Sequence, residues 1–218
     1  MVGLGSVATL SGSYTFATLT RLRPTLFHIT ARSNLEHIQR TRRLRPAVDI
    51  FAAAGTPHLS RARRARSVVV ECDGQAVHVR DESPLYEKNC GLAEGWTFAD
   101  LVQHLNEHVF FWPGGDKPIQ QGLNHFGRYS KDDCVVLVLP TAQVFAANPE
   151  PRFSACNSGS PRHKAVNGKG VPGPRGPDTF RLAEDFDGTP GKVVEVVFRG
   201  AVSLEGCDIE VREPSDFV

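Results

Sequence analysis

One valine-rich run near the C-terminus most constrains how this chain can fold. The run extends from Lys192 to Val202, and seven of its eleven residues are apolar, five of them Val. Such a run predicts a buried β-strand. It contains one carboxylate, Glu195, and an unpaired charge buried in a strand costs several kcal/mol. Glu195 therefore either faces solvent through the alternation of the strand or faces a cleft in which a carboxylate is needed.

A second apolar run, Leu26 to Thr30, predicts another short strand. Its His28 points to the opposite face from Phe27 and Ile29, because side chains alternate along a strand. A histidine in this position either bonds to the backbone in a structural role or faces the same cleft as the carboxylate.

The remaining local signals predict a mixture of short strands and short helices. Asp73-Gly74 is a favoured two-residue hairpin turn between strands at 67–72 and 75–79. Because strands and helices do not alternate one for one, their order predicts an α+β fold rather than a doubly wound sheet. Further strands are predicted at 109–112, 133–139, 153–156 and 208–211, and helices after Ser33 or Asn34, at 47–54, after Thr97 and after Thr141.

Length and composition predict one folded domain. The chain has 218 residues, of which 40% are hydrophobic, and its 15 Pro and 20 Gly indicate long loops. We expect residues 1–22 to be an N-terminal extension and residues 23–218 to form a single domain. Five widely spaced cysteines without a C-x-x-C motif favour a reducing cytoplasm. No run of 18 apolar residues occurs, so we expect no membrane span.

Two basic segments predict contacts with phosphate. Between Arg21 and Arg66 there are eleven Arg and no Lys, against only Glu36 and Asp49. The guanidinium group binds phosphate through two parallel hydrogen bonds, although a solvated basic surface explains the same pattern. The second segment is a glycine-rich stretch at 157–177, a length typical of functional or disordered loops. Contacts with DNA phosphates are predicted for Arg32, Arg40, Arg43, Arg162, Lys164 and Lys169.

Two further patterns bear on ligand binding. Phe111 and Trp112 precede a Pro-Gly-Gly turn, where they either pack in the core or stack on a nucleobase. Stacking on an aromatic side chain contributes about 1–3 kcal/mol per base. His104 and His108 are four residues apart on a predicted helix, but the position of Glu107 does not match a zinc-protease motif. We predict no metal site.

These motifs together resemble the DarT-like branch of the ADP-ribosyltransferase fold. The run from Leu26 to Thr30, followed by Asn34, is similar to the opening motif of that branch, whose strand histidine contacts the nicotinamide ribose. Val109 to Pro113 resembles its aromatic strand, and the strand around Glu195 resembles its catalytic strand. The resemblance implies an ADP-ribosyltransferase-like split antiparallel sheet with a few flanking helices and long loops. It places His28 and Glu195 opposite each other across a nucleotide-sized cleft.

The chain departs from that branch after the aromatic strand, where Pro113-Gly114-Gly115 replaces a Pro-Arg-Ser-Pro-Met type loop. The arginine that organises NAD is therefore not located. The Asn157-Ser158-Gly159 stretch resembles the Brig anti-phage DNA glycosylases. That similarity implies cytoplasmic removal of glucosylated 5-hydroxymethylcytosine from phage DNA, which leaves an abasic site and requires no cofactor, membrane or obligate protein partner.

The resemblance also implies roles for individual residues. Glu195 would activate water or stabilise the sugar cation, His28 would orient the sugar or a phosphate, and Asn157 would bind an edge of the flipped base or sugar. One alternative is a NAD-dependent DNA ADP-ribosyltransferase of the DarT type that uses the same two residues with NAD. A further alternative is a non-catalytic nucleic-acid-binding module. Additional substrate contacts are expected from Thr30, Asn34, Phe111, Trp112 and Ser158.

Overall fold

The computed structural model describes residues 16–159 and 174–217. The strands are β1 (Thr25–Ala31), β2 (Arg43–Leu44), β3 (Val68–Cys72), β4 (Gln75–Val79), β5 (His108–Gly114), β6 (Cys134–Pro140), β7 (Arg152–Ser154), β8 (Arg181–Leu182), β9 (Glu195–Arg199), β10 (Val202–Ser203) and β11 (Glu210–Arg212). The helices are α1 (described over residues 16–22), α2 (Leu35–Thr41), α3 (Ala47–Ala53), α4 (Phe98–Asn106), α5 (Gln120–Tyr129) and α6 (Thr141–Ala147).

A seven-stranded sheet organises the fold, in the order β11-β6-β1-β5-β9-β7-β8. All of its neighbouring strands are antiparallel. Two small sheets accompany it, one formed by β10 and β2 and the other by the β3–β4 hairpin. This architecture confirms the α+β prediction, because parallel strands joined by crossover helices would be needed for a doubly wound sheet.

Strands β1 and β5 separate part-way along their length. Residues Thr25–Phe27 of β1 pair with Trp112–Gly114 of β5. The first half of β5, His108–Phe111, pairs instead with β9. From His28 onward, β1 keeps its ladder with β6 but has no ladder with β5 among the described residues. The two sides of the sheet therefore diverge at His28.

The core lies on both faces of this sheet. Adjacent residues of one strand belong to different buried clusters, as strand alternation requires. Phe111 packs in the largest cluster with Leu26, whereas Trp112 packs in a second cluster with Phe27 and Phe126. A third cluster forms between α4 and the β9 side of the sheet.

The valine-rich run forms two strands instead of the single predicted one. Residues 190–192 form a 3-10 turn, so β9 begins at Glu195. Gly200 then adopts a φ of +80° and separates β9 from β10, because that conformation is open to glycine and closed to most other residues. The prediction of a continuous strand from Lys192 to Val202 was wrong for this reason.

Several local predictions are confirmed. The hairpin turn at Asp73-Gly74 has φ values of +54° and +73°, as a type I′ turn requires. Thr97 caps α4 in a reciprocal arrangement with Asp100. Within the described residues, no helix is long and apolar enough to cross a membrane. All five cysteines are free thiols.

The end of the expected N-terminal extension forms a helix that contacts the core. Residues 16–22 are helical, and Leu19 is fully buried in the same cluster as Leu26. At least this part of the expected extension therefore packs on the core. The remainder of the predicted extension, residues 1–15, lies outside the described residues.

Candidate functional site

A cavity of about 800 Å³ opens where β1 and β5 separate. Its wall includes His28 of β1 and Glu195 of β9, together with the loop after β7 and Arg175. The volume falls within the range of small-molecule and cofactor sites, which is roughly 300–1,000 Å³. The sequence prediction that His28 and Glu195 serve one cleft agrees with this placement.

Glu195 is the buried carboxylate of this cavity, with 2% of its surface exposed. Its backbone pairs with Ser154 of β7, and the backbone N–H of Ser158 donates a hydrogen bond of 3.1 Å to its Oε2. Burial raises the pKa of Glu195 to about 7, while the hydrogen bond from Ser158 and the positive charge of Arg175 act in the opposite direction. Near neutral pH the carboxyl group is therefore present in both protonation states.

His28 bridges the gap between the diverging strands. Its Nδ1 lies 2.9 Å from the carbonyl oxygen of Phe110. Since a carbonyl only accepts, Nδ1 carries the proton and Nε2 is left as a hydrogen-bond acceptor. Burial, with a smaller contribution from the nearby charge of Arg80, lowers the pKa of His28 to about 4. His28 is consequently neutral at physiological pH and can accept a hydrogen bond from a ligand.

The loop after β7 brings Asn157 and Ser158 to the cavity. Asn157 is half-buried, whereas Ser158 is fully buried, and its Oγ has no hydrogen-bond partner among the described residues other than the Glu195 carboxyl, whose pKa it lowers. Cys156 lies on the same wall, but burial raises the pKa of its thiol. A protonated thiol is a poor nucleophile, so Glu195 is the stronger candidate for chemistry here.

Helix α5, which the sequence pattern did not predict, also lines the cavity. Arg80 donates a hydrogen bond of 2.6 Å to Nε2 of His125 and lies 4.2 Å from the ring centre of Tyr129. His125 in turn stacks against Trp112 at 4.4 Å between ring centroids. Gly122 allows this approach, since an added Cβ would lie 3.0 Å from the Trp112 side chain.

The structure corrects the prediction for Phe111. Its side chain is fully buried in the largest core cluster and does not line the cavity, so it cannot stack on a bound base. The half-buried Phe110 and the buried Trp112 line the cavity instead. Alternation along β5 explains the difference, because Phe110 and Trp112 point to one face and Phe111 to the other.

Thr30 and Asn34 lie at the cavity but are bonded to the protein itself. Nδ2 of Asn34 donates to Oγ1 of Thr30 at 3.2 Å and to the carbonyl of His78 at 2.8 Å. Its Oδ1 accepts a 2.9 Å hydrogen bond from the backbone N–H of His78. Asn34 precedes α2 as predicted, but its side chain makes no capping bond. It ties the β3–β4 hairpin to the start of α2.

Many arginines of the basic segment 21–66 have internal partners. Arg32 pairs with Asp133 and Glu213, whereas Arg40 and Arg43 are exposed and Arg43 lies at the cavity. Arg42 donates to carbonyls of the Leu204–Cys207 turn. Part of this arginine content therefore stabilises the fold. The other predicted phosphate contacts, Arg162, Lys164 and Lys169, lie outside the described residues.

His104 lies on α4, but His108 is the first residue of β5 and does not extend the predicted helix; both belong to an aromatic cluster. His104 stacks on Phe180 at 5.2 Å between centroids, and Nδ1 of His108 donates a 2.7 Å hydrogen bond to the carbonyl of His104. Burial lowers the pKa of His108 to about 3. Among the described residues, no group of three or more His, Cys, Asp or Glu side chains is placed to hold a metal ion.

A family model described as a family of unknown function, DUF7002, matches residues 24–205. The chain belongs to the DUF7002 family. No curated protein and no solved structure matches it. The match to DUF7002 begins just before β1 and ends just after β10, so it includes every residue placed at the cavity above.

Proposed function

We propose that this DUF7002 protein is a DNA glycosylase that cleaves the N-glycosidic bond of a modified base. The observation that carries the proposal is the buried Glu195, whose pKa is raised by burial to about 7, at a nucleotide-sized cavity. Breaking a C–N glycosidic bond passes through a sugar cation, and a carboxylate beside the anomeric carbon stabilises that cation or activates water.

The hydrolytic step needs only water and the residues of the cavity. The C1′–N bond breaks, and its electron pair leaves with the base. The oxygen of a water molecule bonds to C1′, and the ionised carboxylate of Glu195 takes the proton that this water loses. The base gains a proton from solvent and Glu195 returns its proton to solvent, so the sum is hydrolysis to an abasic site and a free base.

The other cavity residues fit the binding of a flipped nucleotide. The target base would leave the stack, at a cost of a few kcal/mol, and enter the cavity. Phe110 and Trp112 would contact its face, and the Asn157 amide would bond to a base or sugar edge. Nε2 of His28 would accept a hydrogen bond from the sugar or from the attacking water. The resemblance to the Brig glycosylases directs the proposal to glucosylated 5-hydroxymethylcytosine in phage DNA, within an anti-phage defence.

The separation of β1 and β5 supports an ADP-ribosyltransferase-like arrangement of the sheet. In an ADP-ribosyltransferase-like sheet, the split would be the region where β1 and β5 diverge. Both His28 and Glu195 line the cavity in this region. Cleaving nicotinamide from NAD and cleaving a base from deoxyribose break the same kind of bond. A cleft built for one reaction therefore has the groups needed for the other.

A NAD-dependent DNA ADP-ribosyltransferase is the second candidate. The size of the cavity favours it, because about 800 Å³ approaches the upper end of cofactor sites and exceeds the need of one unmodified nucleotide. The buried Arg175 at the cavity would suit the phosphates of NAD as well as those of DNA. The same two residues, His28 and Glu195, would then act on the bond between nicotinamide and ribose.

A product assay with and without NAD separates these reactions. Purified protein is incubated with DNA that carries glucosylated 5-hydroxymethylcytosine and, in parallel, with unmodified DNA. We expect free modified base by mass spectrometry, and alkali-sensitive abasic sites, from the modified DNA alone and without NAD. A DNA mass increase of one ADP-ribose that requires NAD would instead establish the transferase. Binding that weakens steeply with salt, with no covalent change in either condition, would indicate a non-catalytic module.

A further inference from the structure

Arg175 is buried at the cavity, and its side chain forms neither a hydrogen bond nor an ion pair within the described residues. Its residue surface is 6% exposed, and its Nε has no hydrogen-bond partner among the described residues. Within that part of the chain it forms no ion pair with a carboxylate. Burying a guanidinium group without a carboxylate partner is energetically unfavourable unless another anion binds to it.

The other arginines at the cavity are either exposed or form side-chain hydrogen bonds or ion pairs within the described residues, although Nε of Arg80 and one terminal nitrogen of Arg64 also have no partner there. Arg64 pairs with Glu82 at 3.1 Å, and Arg45 pairs with Asp73 at 2.6 Å. Arg80 donates to His125 and to the carbonyl of Ile29. Arg43 and Arg128 are exposed, so water solvates them.

The positive charge of Arg175 lowers the pKa of Glu195, so the two side chains attract each other without direct contact. No ion pair joins these two side chains, although both line the cavity. Burial raises the pKa of Glu195 to about 7, so its charge is only partly present at neutral pH. The hydroxyl of the fully buried Ser158 lies close enough to the Glu195 carboxyl to lower its pKa, and it has no other hydrogen-bond partner in the described ranges.

The backbone holds Arg175 in place. Its N–H donates to the carbonyl of Gly91 at 2.7 Å, and its carbonyl accepts from the N–H of Ala93 at 2.8 Å. The next residue, Gly176, packs so closely on Ala93 that an added Cβ would collide with the Ala93 side chain. A charged group that is positioned this firmly, and has no side-chain partner in the described part of the chain, is organised for a ligand.

We propose that Arg175 and Ser158 form the phosphate-binding subsite of the cavity. The guanidinium group would donate two hydrogen bonds to phosphate oxygens, and the Ser158 hydroxyl would donate a third. The ligand is a phosphate ester carried next to the sugar whose anomeric carbon faces Glu195. Its assignment to a phosphodiester of DNA rests on the proposed function, whereas the subsite itself does not.

Titration calorimetry with inorganic phosphate tests the subsite without any base or reaction. We expect Arg175→Gln to weaken phosphate binding by about tenfold or more, the usual effect of losing a charge-assisted pair of hydrogen bonds. Arg128→Gln removes the same charge from an exposed position on the cavity wall and should change the affinity by less than about threefold, as for a screened surface charge. Equal weakening by the two variants, or no weakening by Arg175→Gln, would overturn the proposal.

Thermal unfolding of the same variants provides a second readout. Because Arg175 is a buried cation that forms no ion pair in residues 16–159 and 174–217, Arg175→Gln should unfold at the same or a higher temperature than the wild type in phosphate-free buffer. Phosphate should raise the unfolding temperature of the wild type and leave that of Arg175→Gln unchanged. If Arg175→Gln does not fold, Arg175→Lys replaces it, and undiminished phosphate affinity in Arg175→Lys would contradict a two-pronged guanidinium contact.

Two larger ligands identify the source of the phosphate. A single-stranded DNA oligonucleotide carries phosphodiesters, and NAD carries a pyrophosphate. Loss of oligonucleotide affinity in Arg175→Gln assigns the subsite to DNA, and loss of NAD affinity assigns it to a dinucleotide. Either loss supports the subsite, even if the base-release assay is negative, so the two proposals fail separately. Unchanged affinity for both ligands would count against the subsite.

Discussion

The backbone N–H of Ser158 donates a 3.1 Å hydrogen bond to Oε2 of Glu195. This contact joins the loop after β7 to the first residue of β9 and fixes the carboxyl group at the cavity. Hydrogen bonding from Ser158 and the charge of Arg175 do not offset the cost of burial, and the pKa of Glu195 therefore stays raised, at about 7. The same burial that makes Glu195 useful as a proton acceptor near neutral pH also destabilises its ionised form.

This relationship predicts a pH-dependent stability difference between the wild type and Glu195→Gln. The folded protein holds the Glu195 proton more tightly than the unfolded chain, so this contribution to stability is full below pH 4.5 and is lost as the pH rises through 7. The loss amounts to about 3 kcal/mol. Urea unfolding at both ends of this window should show Glu195→Gln gaining that much relative to the wild type. A difference that does not vary with pH would contradict the raised pKa.

The two neighbouring phenylalanines of β5 should respond differently to truncation. Phe111→Ala removes a fully buried ring and should lower the free energy of unfolding by about 3–5 kcal/mol. Phe110→Ala removes a half-buried ring at the cavity and should weaken binding of DNA with the modified base by about 1–3 kcal/mol. Urea unfolding and fluorescence anisotropy measure the two effects. Unchanged DNA affinity in a folded Phe110→Ala variant would exclude base stacking on this side chain.

Asn34 should stabilise the attachment of the β3–β4 hairpin. Asn34→Ala removes both hydrogen bonds to His78 and one to Thr30, for an expected loss of about 2–3 kcal/mol in the free energy of unfolding. Hydrogen exchange at the His78 amide, which donates to Asn34, should become faster. Ser33→Ala alters an exposed neighbour and serves as the matched control. Equal exchange rates in both variants would show that Asn34 does not hold the hairpin.

Removing only one partner of the buried ion pair between Arg64 and Glu82 should strongly lower the free energy of unfolding. Its side chains are 8% and 12% exposed, and burial raises the pKa of Glu82. Arg64→Met alone leaves Glu82 buried without its partner and should lower the free energy of unfolding by about 3–5 kcal/mol. The double variant Arg64→Met/Glu82→Leu should lose less than the sum of the two single variants. Arg199→Ala, which breaks the exposed pair with Glu107, should cost less than about 1 kcal/mol. If the double variant loses the sum of the stability losses of Arg64→Met and Glu82→Leu, the two side chains are not energetically coupled and the prediction is contradicted.

Local signals explain which parts of the fold could be predicted from the sequence. The Asp73-Gly74 turn and the Thr97 cap depend on a few adjacent residues, and both are present as predicted. Helix α5 was missed because two glycines interrupt it, Gly122 and Gly127, and its role is tertiary. Gly122 is required by the close approach of Trp112, and that contact cannot be inferred from neighbouring residues.

The site was predictable only in part, for a physical reason. Strand alternation places Phe110 and Phe111 on opposite faces of the sheet but does not show which face borders a cavity. The prediction that Phe111 contacts the substrate was therefore wrong. The partners of Arg42 lie more than 160 residues along the chain, at Leu204 and Cys207, so its structural role has no local signal. The placement of Glu195 and His28 at one cavity was expected from a resemblance rather than from the residue pattern.

Single-turnover base release by the wild type and by Glu195→Gln tests the central claim most directly. Both proteins are mixed in excess with DNA that carries glucosylated 5-hydroxymethylcytosine, without NAD, and DNA binding is measured in parallel. The proposed mechanism predicts that Glu195→Gln binds this DNA with an affinity near that of the wild type and releases base at least about 1,000-fold more slowly, as for the loss of a main electrostatic group. Base release by Glu195→Gln at the rate of the wild type would contradict it.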